Sequence, residues 1–145
     1  MGYGYETKLV WSSDMISSTA DSLTVVGDAS GTLKIAEPIR VVEVGFLVST
    51  TVGTTGATIK FDRRVKVGSD SGRGDGDVDD ITIPAAAAAG KYYYSQGTPI
   101  DLDVGDEIVP EVTVAGGTTG AGYHVIKYFR NNKLVGDESD AVESA

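Results

Sequence analysis

Cysteine is absent from this sequence of 145 residues, which excludes disulfide bonds, thiolate metal sites and a cysteine nucleophile. Histidine and tryptophan each occur once. Basic residues are also scarce, because 12 lysines and arginines stand against 21 aspartates and glutamates and give a formal net charge of −9. We therefore expect neither nucleic acid nor an anionic membrane surface as a partner.

Long apolar runs are missing as well. A membrane-spanning helix needs about 20 consecutive apolar residues, and no stretch of this sequence approaches that length. The first residues, Met1 to Glu6, contain neither the basic nor the apolar region of a secretory signal. We therefore expect a soluble chain without a targeting segment.

What the sequence does contain is glycine, threonine and valine, arranged in alternating apolar and polar positions. Its 19 glycines disfavour long helices, and β-branched residues favour strands. Over residues 57–67, Ala57, Ile59 and Phe61 begin an apolar series that alternates with polar residues. This period of two is typical of a strand with one buried and one solvated face.

A second long strand is predicted over residues 39–50, with Val42, Val44, Phe46 and Val48 facing inward. Further strands are predicted over residues 23–26, 33–36, 78–83, 92–95, 100–104, 107–115 and 123–130. About eight or nine strands with Gly-rich connections indicate an all-β protein, built as a single antiparallel β-sandwich. The predicted sandwich spans residues 23–131, after an N-terminal arm over residues 1–22 and before a flexible acidic tail over residues 132–145.

An acidic stretch over residues 70–80 holds the candidate metal ligands. Asp75, Asp77 and Asp79 alternate as carboxylate ligands do in calcium-binding loops. An EF-hand loop starting at Asp75 also needs glycine at its sixth position and glutamate at its twelfth, but Asp80 and Ala86 stand there. We therefore interpret the stretch as a solvated acidic turn, and we assign no metal, no cofactor and no catalytic residue. The expectation is a protein that is not an enzyme.

Aromatic residues are concentrated in two predicted strands. Three consecutive tyrosines in residues 92–94 must place rings on both faces of their strand, and residues 123–130 are apolar on both faces as well. A strand of this kind needs cover on both sides, either from the N-terminal arm or from a second subunit. The predicted subunit interface consists of Tyr92, Tyr93, Tyr94, His124, Ile126 and Tyr128.

A recurring order of strand, turn and strand fills the second half of the sequence. Ile81-Thr82-Ile83-Pro84-Ala85 ends one apolar strand, and Val104-Gly105-Asp106-Glu107-Ile108 joins two others through a Gly-Asp turn. Glu111-Val112-Thr113-Val114, Gly- and Thr-rich linkers and the apolar segment from Val125 to Tyr128 follow. In this order of segments, residues 39–130 resemble the small jelly-roll proteins of tailed bacteriophage particles, which are capsid decoration or cement proteins and head-fibre or tail accessory domains.

The resemblance implies a virion structural protein on the capsid surface, which binds the major capsid protein and needs no active site. It also implies self-association, commonly as a homotrimer, and an arm that grips the shell. The candidate capsid-contact residues of that arm are Tyr3, Tyr5 and Trp11. The alternative is a receptor-binding or carbohydrate-binding β-sandwich domain of a tail, a fibre or a secreted protein, because Trp11 and the tyrosines can also form a platform for sugars.

Overall fold

The computed structural model of the protein describes residues 12–17, 19–29, 32–64, 76–97 and 99–130. Within these ranges the chain forms eleven strands and no helix, so the all-β fold expected from the alternating sequence is confirmed. The strands are β1 (Ser12–Ile16), β2 (Asp21–Ser22), β3 (Gly27–Asp28), β4 (Leu33–Lys34), β5 (Ile39–Thr50), β6 (Ala57–Arg64), β7 (Gly76–Ile83), β8 (Tyr92–Ser95), β9 (Ile100–Leu102), β10 (Glu107–Val114) and β11 (Ala121–Arg130).

The strands form two antiparallel sheets that pack against each other as a β-sandwich. The order in the first sheet is β1-β11-β5-β8, with β2 also paired to β11 and β9 also paired to β5. The order in the second sheet is β3-β10-β6-β7, with β4 also paired to β10. Three pairs of short strands lie end to end along a shared neighbour: β1 and β2 along β11, β3 and β4 along β10, and β8 and β9 along β5. When each of these pairs is counted as one strand position, each sheet has four positions.

The core lies between the inner faces of the two sheets. Its largest fully buried side chains are aromatic, β-branched or leucine. Those on strands come from both sheets, and Leu23 comes from the connection between β2 and β3: Phe46, Phe61, Leu23, Ile39, Ile59, Ile83, Leu102, Ile108 and Ile126. Along β6 the buried residues alternate with partly buried ones from Ala57 to Phe61, as the sequence predicts. Alternation therefore directs one face of each long strand into a shared apolar layer.

A bulge in β5 changes which valine of this strand enters the core. Tyr128 pairs with Val41 while Lys127 pairs with Glu43, so Val42 is an extra residue between two register positions. A bulge shifts the alternation of the residues on either side of it. Val41 consequently belongs to the core cluster, whereas Val42 is only partly buried, which corrects the predicted inward face.

The sandwich begins earlier in the chain than the sequence predicts. Strand β1 pairs with β11 from Ser12 opposite Phe129 to Ile16 opposite Val125, and β2 continues along the same neighbour. Residues 12–22 therefore include an edge of the first sheet, and the predicted arm boundary at residue 22 is wrong. Residues 1–11 of the predicted arm and the acidic tail over residues 132–145 lie outside the described residues.

Residues 23–26 cross from the first sheet to the second instead of forming the predicted strand. The Leu23 side chain is fully buried, and its N–H donates to the Gly120 carbonyl over 2.9 Å. The Leu23 carbonyl accepts the Gly116 N–H over 2.7 Å, so its backbone is satisfied outside both sheets. Leu23 therefore fills the end of the sandwich core, whereas Val25 and Val26 of the same segment are exposed.

The predicted Gly-Asp turn joins β9 to β10. Gly105 has a φ of 94°, which glycine adopts at little cost. The Asp106 N–H donates to the Asp103 carbonyl over 3.0 Å, and the Asp106 carboxylate accepts the Asp103 N–H over 2.9 Å. The turn prediction at Gly105 and Asp106 is confirmed.

We predict that Val41→Ala lowers the free energy of unfolding by about 2 kcal/mol, because it removes methyl groups from the closed core. The neighbouring substitution Val42→Ala is the matched control, and its cost should be about 1 kcal/mol or less because its side chain is only partly buried. Urea denaturation of both variants measures the difference. Equal losses would show that the bulge is not where the structure places it.

Candidate interaction surface on the first sheet

The outer face of the second sheet carries ion pairs. Lys60 Nζ lies 3.0 Å from Asp77 Oδ1 and 3.5 Å from Asp62 Oδ1. Two further pairs join strands of this sheet: Lys34 with Glu107 on the neighbouring strands β4 and β10, and Arg64 with Asp28 across β10, which lies between β6 and β3. Charged groups of this kind are stable when they are exposed to solvent, so this face does not need to be buried against another protein.

The outer face of the first sheet also carries ion pairs, Arg40 with Asp101 and Lys127 with Glu43, but it differs in having a group of aromatic and aliphatic side chains. Its apolar side chains come from β1, β5, β8 and β11, and together they are called the tyrosine patch: Ile16, Leu47, Tyr92, Tyr94, Tyr123 and Val125. Ile16 and Tyr94, on the two edge strands of this sheet, are each 57% exposed. Val125, in the middle, is buried. The patch therefore has a packed centre and two exposed apolar margins.

A buried carboxylate holds the centre of this face together. Glu43 accepts hydrogen bonds of 2.7 Å from the Tyr92 hydroxyl at Oε2 and from the Gln96 amide at Oε1. Lys127 Nζ lies 3.5 Å from the same Oε2. Burial disfavours the charged carboxylate, but the hydrogen bonds from Tyr92 and Gln96 and the Lys127 charge outweigh it and lower the pKa of Glu43.

The Tyr92 ring lies flat on the sheet because Gly45 leaves room for it. A Cβ atom at Gly45 would collide with the ring and the hydroxyl of Tyr92. The Tyr92 ring stacks on Tyr94, with centroids 5.6 Å apart and planes inclined by 16°, and Lys127 Nζ lies 5.5 Å from the Tyr92 centroid. Burial and the hydrogen bond to Glu43 raise the pKa of Tyr92, so its hydroxyl remains a donor.

The predicted subunit interface is divided between the two faces of the sheet. Tyr92 and Tyr94 lie on the outer face, whereas Tyr93 and Tyr128 pack against the core from the inner face. His124 and Ile126 are fully buried between the sheets, so their assignment to a subunit interface is wrong. Alternation along β11 sends residues 124, 126 and 128 inward together, and the opposite face carries residues 123, 125, 127 and 129.

His124 connects the two sheets from within the core. Its ring meets Phe46 of the first sheet and Phe61 of the second sheet edge-on, with centroid distances of 5.1 and 5.7 Å. Its Nε2 atom lies 3.0 Å from Asp21 Oδ2, and its Nδ1 atom is buried without a partner among the described residues. Burial lowers the pKa of His124 although the Asp21 carboxylate acts in the opposite direction, so the imidazole is neutral at pH 7.

The structure separates the candidate metal ligands. Val78 is an extra residue in the pairing of β7 with β6, so Asp77 and Asp79 do not share a face. Asp77 pairs with Lys60 on the outer face, whereas a carboxylate oxygen of Asp79 is buried. Asp75 lies outside the described residues. In the part of the chain that the structure describes, no three acidic or histidine side chains are placed to hold a metal ion.

Several residues of this surface were not predicted from the sequence. The sequence holds one feature that could have indicated them. Glu43 is an acidic residue within the apolar strand over residues 39–50, and Gly45 follows two positions later. A charge in a strand of this kind must find partners, and a glycine often marks a close approach. Neither signal identifies the partners Gln96 and Lys127, because both come from distant parts of the chain. The predicted capsid-contact residues Tyr3, Tyr5 and Trp11 lie outside the described residues.

The chain fits no family model, and no curated protein sequence is significantly similar to it. Within the described ranges, no helix is both long enough and apolar enough to cross a membrane.

We predict that Tyr92→Phe lowers the free energy of unfolding by about 1–3 kcal/mol, because the buried Glu43 carboxylate loses a donor and gains no other. Tyr94→Phe is the matched control and should change stability by about 0.5 kcal/mol or less, since its side chain is mostly exposed. Thermal and urea unfolding of the two variants provide the measurement. A loss that is the same for both would rule out the Glu43 network as the cause.

We predict that His124 takes up its proton below the ordinary histidine pKa of about 6.5. It is the only histidine, so its imidazole carbon-bound protons give a single titration curve in NMR spectra of the whole chain. The unfolded chain binds this proton at a higher pH than the folded chain does. The free energy of unfolding therefore falls as the pH falls from about 6.5 to the folded pKa.

His124→Gln is the control for this pH dependence. The difference in unfolding free energy between the original protein and this variant should change with pH only in that window, since carboxylates titrate in both proteins. A titration midpoint at or above about 6.5 would contradict the buried, neutral state of the ring.

Proposed function

We propose that this chain is a non-enzymatic structural protein of a tailed bacteriophage particle, a capsid decoration or cement protein that binds the major capsid protein and copies of itself. The observation that carries this proposal is the tyrosine patch on the outer face of the first sheet. Aromatic residues are enriched in the cores of protein interfaces, and exposed apolar areas bordered by polar residues mark interaction sites. The ion pairs on the other sheet give the sandwich a solvated face opposite to it.

The order of the strands supports a jelly-roll assignment, which is the fold of the resembled virion proteins. With the split strands counted as single positions, the chain has eight positions in sequence. The first pairs with the eighth, the second with the seventh, the third with the sixth and the fourth with the fifth. A long hairpin that is rolled up over two sheets has this arrangement.

The rigidity of the patch also supports a binding role. Tyr92 is fixed by Glu43 and by the flat surface at Gly45, and it supports the exposed ring of Tyr94 from one side. An aromatic group that is already ordered loses little conformational entropy when a partner covers it. The Glu43 carboxylate is neutralised within the chain by Lys127, so a partner need not supply a charge for it.

The capsid-contact arm remains part of the proposal. The residues that precede Ser12 continue from β1, which is an edge strand of the sheet that carries the patch. We propose that Tyr3, Tyr5 and Trp11, which precede β1 in the sequence, contact the shell while the tyrosine patch forms contacts between subunits.

One observation favours a carbohydrate-binding domain as the second candidate function. Tyr94 presents a mostly exposed ring that is backed by Tyr92, and aromatic faces of this kind stack on sugar rings. Screening the purified protein on a glycan array, with Tyr94→Ala as control, tests this candidate. Saturable binding of a glycan that the variant loses would favour it over the virion proposal.

We predict that the purified protein is an oligomer, with a mass near three times 15.1 kDa for the expected trimer. The double substitution of Ile16 and Tyr94 by aspartate should reduce the mass to that of one chain, because it places charges at both exposed margins of the patch. Light scattering on a size-exclusion column measures both masses. The expected partner is tested separately by co-sedimentation with shells of the major capsid protein.

Val104→Asp is the matched control, since this valine is also exposed and lies in the turn after β9, away from the patch. It should leave both the mass and the shell binding unchanged. A stable monomer that does not bind shells would overturn the proposed function.

A further inference from the structure

The exposed apolar area of the tyrosine patch is divided between two opposite edges of the first sheet. Ile16 on β1 pairs with Val125 on β11, and Val125 pairs with Gly45 on β5. Gly45 pairs in turn with Tyr94 on β8, so Ile16 and Tyr94 lie at the same level of the sheet, about 14 Å apart across four strands. Both are 57% exposed, whereas Val125 is 5% exposed. A subunit that covers this face therefore removes most apolar area from water at the edges rather than at the centre.

These two edges lack the features that protect the edges of the second sheet. In the second sheet, β3 and β4 have two residues each, and β7 contains a bulge and three aspartates. Short edge strands, bulges and charges prevent another chain from joining a sheet. In contrast, β1 and β8 pair with their neighbours without a bulge, β8 has no charged residue, and β1 has a single one, Asp14. Among the described edge strands, β1 and β8 are therefore suited to accept a neighbouring subunit.

The two edges carry opposite charges beside their apolar side chains. Asp14 lies on the outer face of β1, two residues before Ile16, and Lys91 directly precedes β8. Both are exposed, and neither forms an ion pair with another described residue. We call Asp14 with Ile16 the β1 edge, and Lys91 with Tyr94 the β8 edge. Two β1 edges repel each other, whereas a β1 edge and a β8 edge attract.

We propose that the β1 edge of one copy of this chain binds the β8 edge of the next copy, so that the copies associate head to tail. This arrangement rests on the proposed function, because it specifies which surfaces meet when the chain associates with itself. A contact of this kind uses a different surface on each side, and it leaves one free edge at each end until the copies close into a ring. Three copies form that ring in the expected trimer.

Two variants that each disable one edge test the head-to-tail contact. Ile16→Asp places a carboxylate in the β1 edge, and Tyr94→Asp places one in the β8 edge. Both residues are mostly exposed, so the variants should fold, which circular dichroism confirms. Every head-to-tail contact needs both edges, so each variant alone should have the mass of one chain, 15.1 kDa.

An equimolar mixture of the two variants should form a complex of two chains. The Ile16→Asp chain keeps its β8 edge and the Tyr94→Asp chain keeps its β1 edge, so one contact forms and no ring closes. Light scattering on a size-exclusion column measures the masses, at total concentrations up to about 1 mM because an open pair lacks the strengthening that ring closure provides. Val104→Asp is the control and should keep the mass of the original protein, alone and in mixtures.

An exchange of charges tests the attraction between the edges separately. Asp14→Lys and Lys91→Asp should each weaken association by about threefold at low ionic strength, because each places like charges near the contact. The double variant exchanges the two charges and should restore most of the affinity. A loss in the double variant as large as both single losses together would overturn the pairing of these two edges.

The masses distinguish a failure of the head-to-tail contact from a failure of the proposed function. If the original protein is an oligomer but the mixed variants stay single chains, or if either variant alone keeps the original mass, the head-to-tail contact is wrong and self-association stands. An original protein of two chains would indicate a two-fold pair and would also overturn the contact. If the original protein is a single chain and either variant loses binding to capsid shells, the edges bind the capsid protein instead, and the contact between copies is wrong.

Discussion

The sandwich depends on the contact that the His124 ring makes with both sheets at once. The ring meets Phe46 and Phe61 edge-on, and these phenylalanines belong to central strands of opposite sheets. A neutral imidazole fits between two aromatic rings, whereas a protonated one would bury a charge there. Asp21 binds the ring from β2, which is the point where the chain leaves the first sheet. The same residue pair therefore connects the core with the end of the edge strand.

The position of this core determines the two faces of the tyrosine strand. Tyr93 pairs with the buried Phe46 and faces inward, so Tyr92 and Tyr94 must face outward. The outward tyrosines are accommodated because Gly45 lacks a side chain and Glu43 accepts the Tyr92 hydroxyl. A change of one position in the register of β8 would exchange these roles and place two tyrosines in the core.

The strands and the fold class follow from local sequence, whereas the site depends on distant pairing. Alternation over residues 57–61 and the Gly105 turn are properties of a few neighbouring residues, and both are found as predicted. The bulge at Val42 carries no local signal, because three of the four residues from Val41 to Val44 are valines. His124 was wrongly predicted to contact another subunit because its strand is apolar on both faces, and such a sequence does not reveal which of the two faces meets the core. Strand β1 was missed because its residues, SSDMI, lack a clear apolar period, and β11 supplies its ladder.

The Glu43 network explains how an apolar outer face tolerates a buried carboxylate. Removing a carboxylate from water costs several kcal/mol unless hydrogen bonds and a counter-charge replace the lost hydration. Tyr92, Gln96 and Lys127 provide these replacements, and two of them also shape the patch, since the Lys127 ammonium lies over the Tyr92 ring. The polar groups are thereby turned toward one another within the chain, and the Tyr94 ring is left facing outward. Under the proposed function, a partner that covers this face contacts an ordered aromatic surface whose central carboxylate already has a counter-charge. Association therefore removes apolar area from water without burying an unpaired ion.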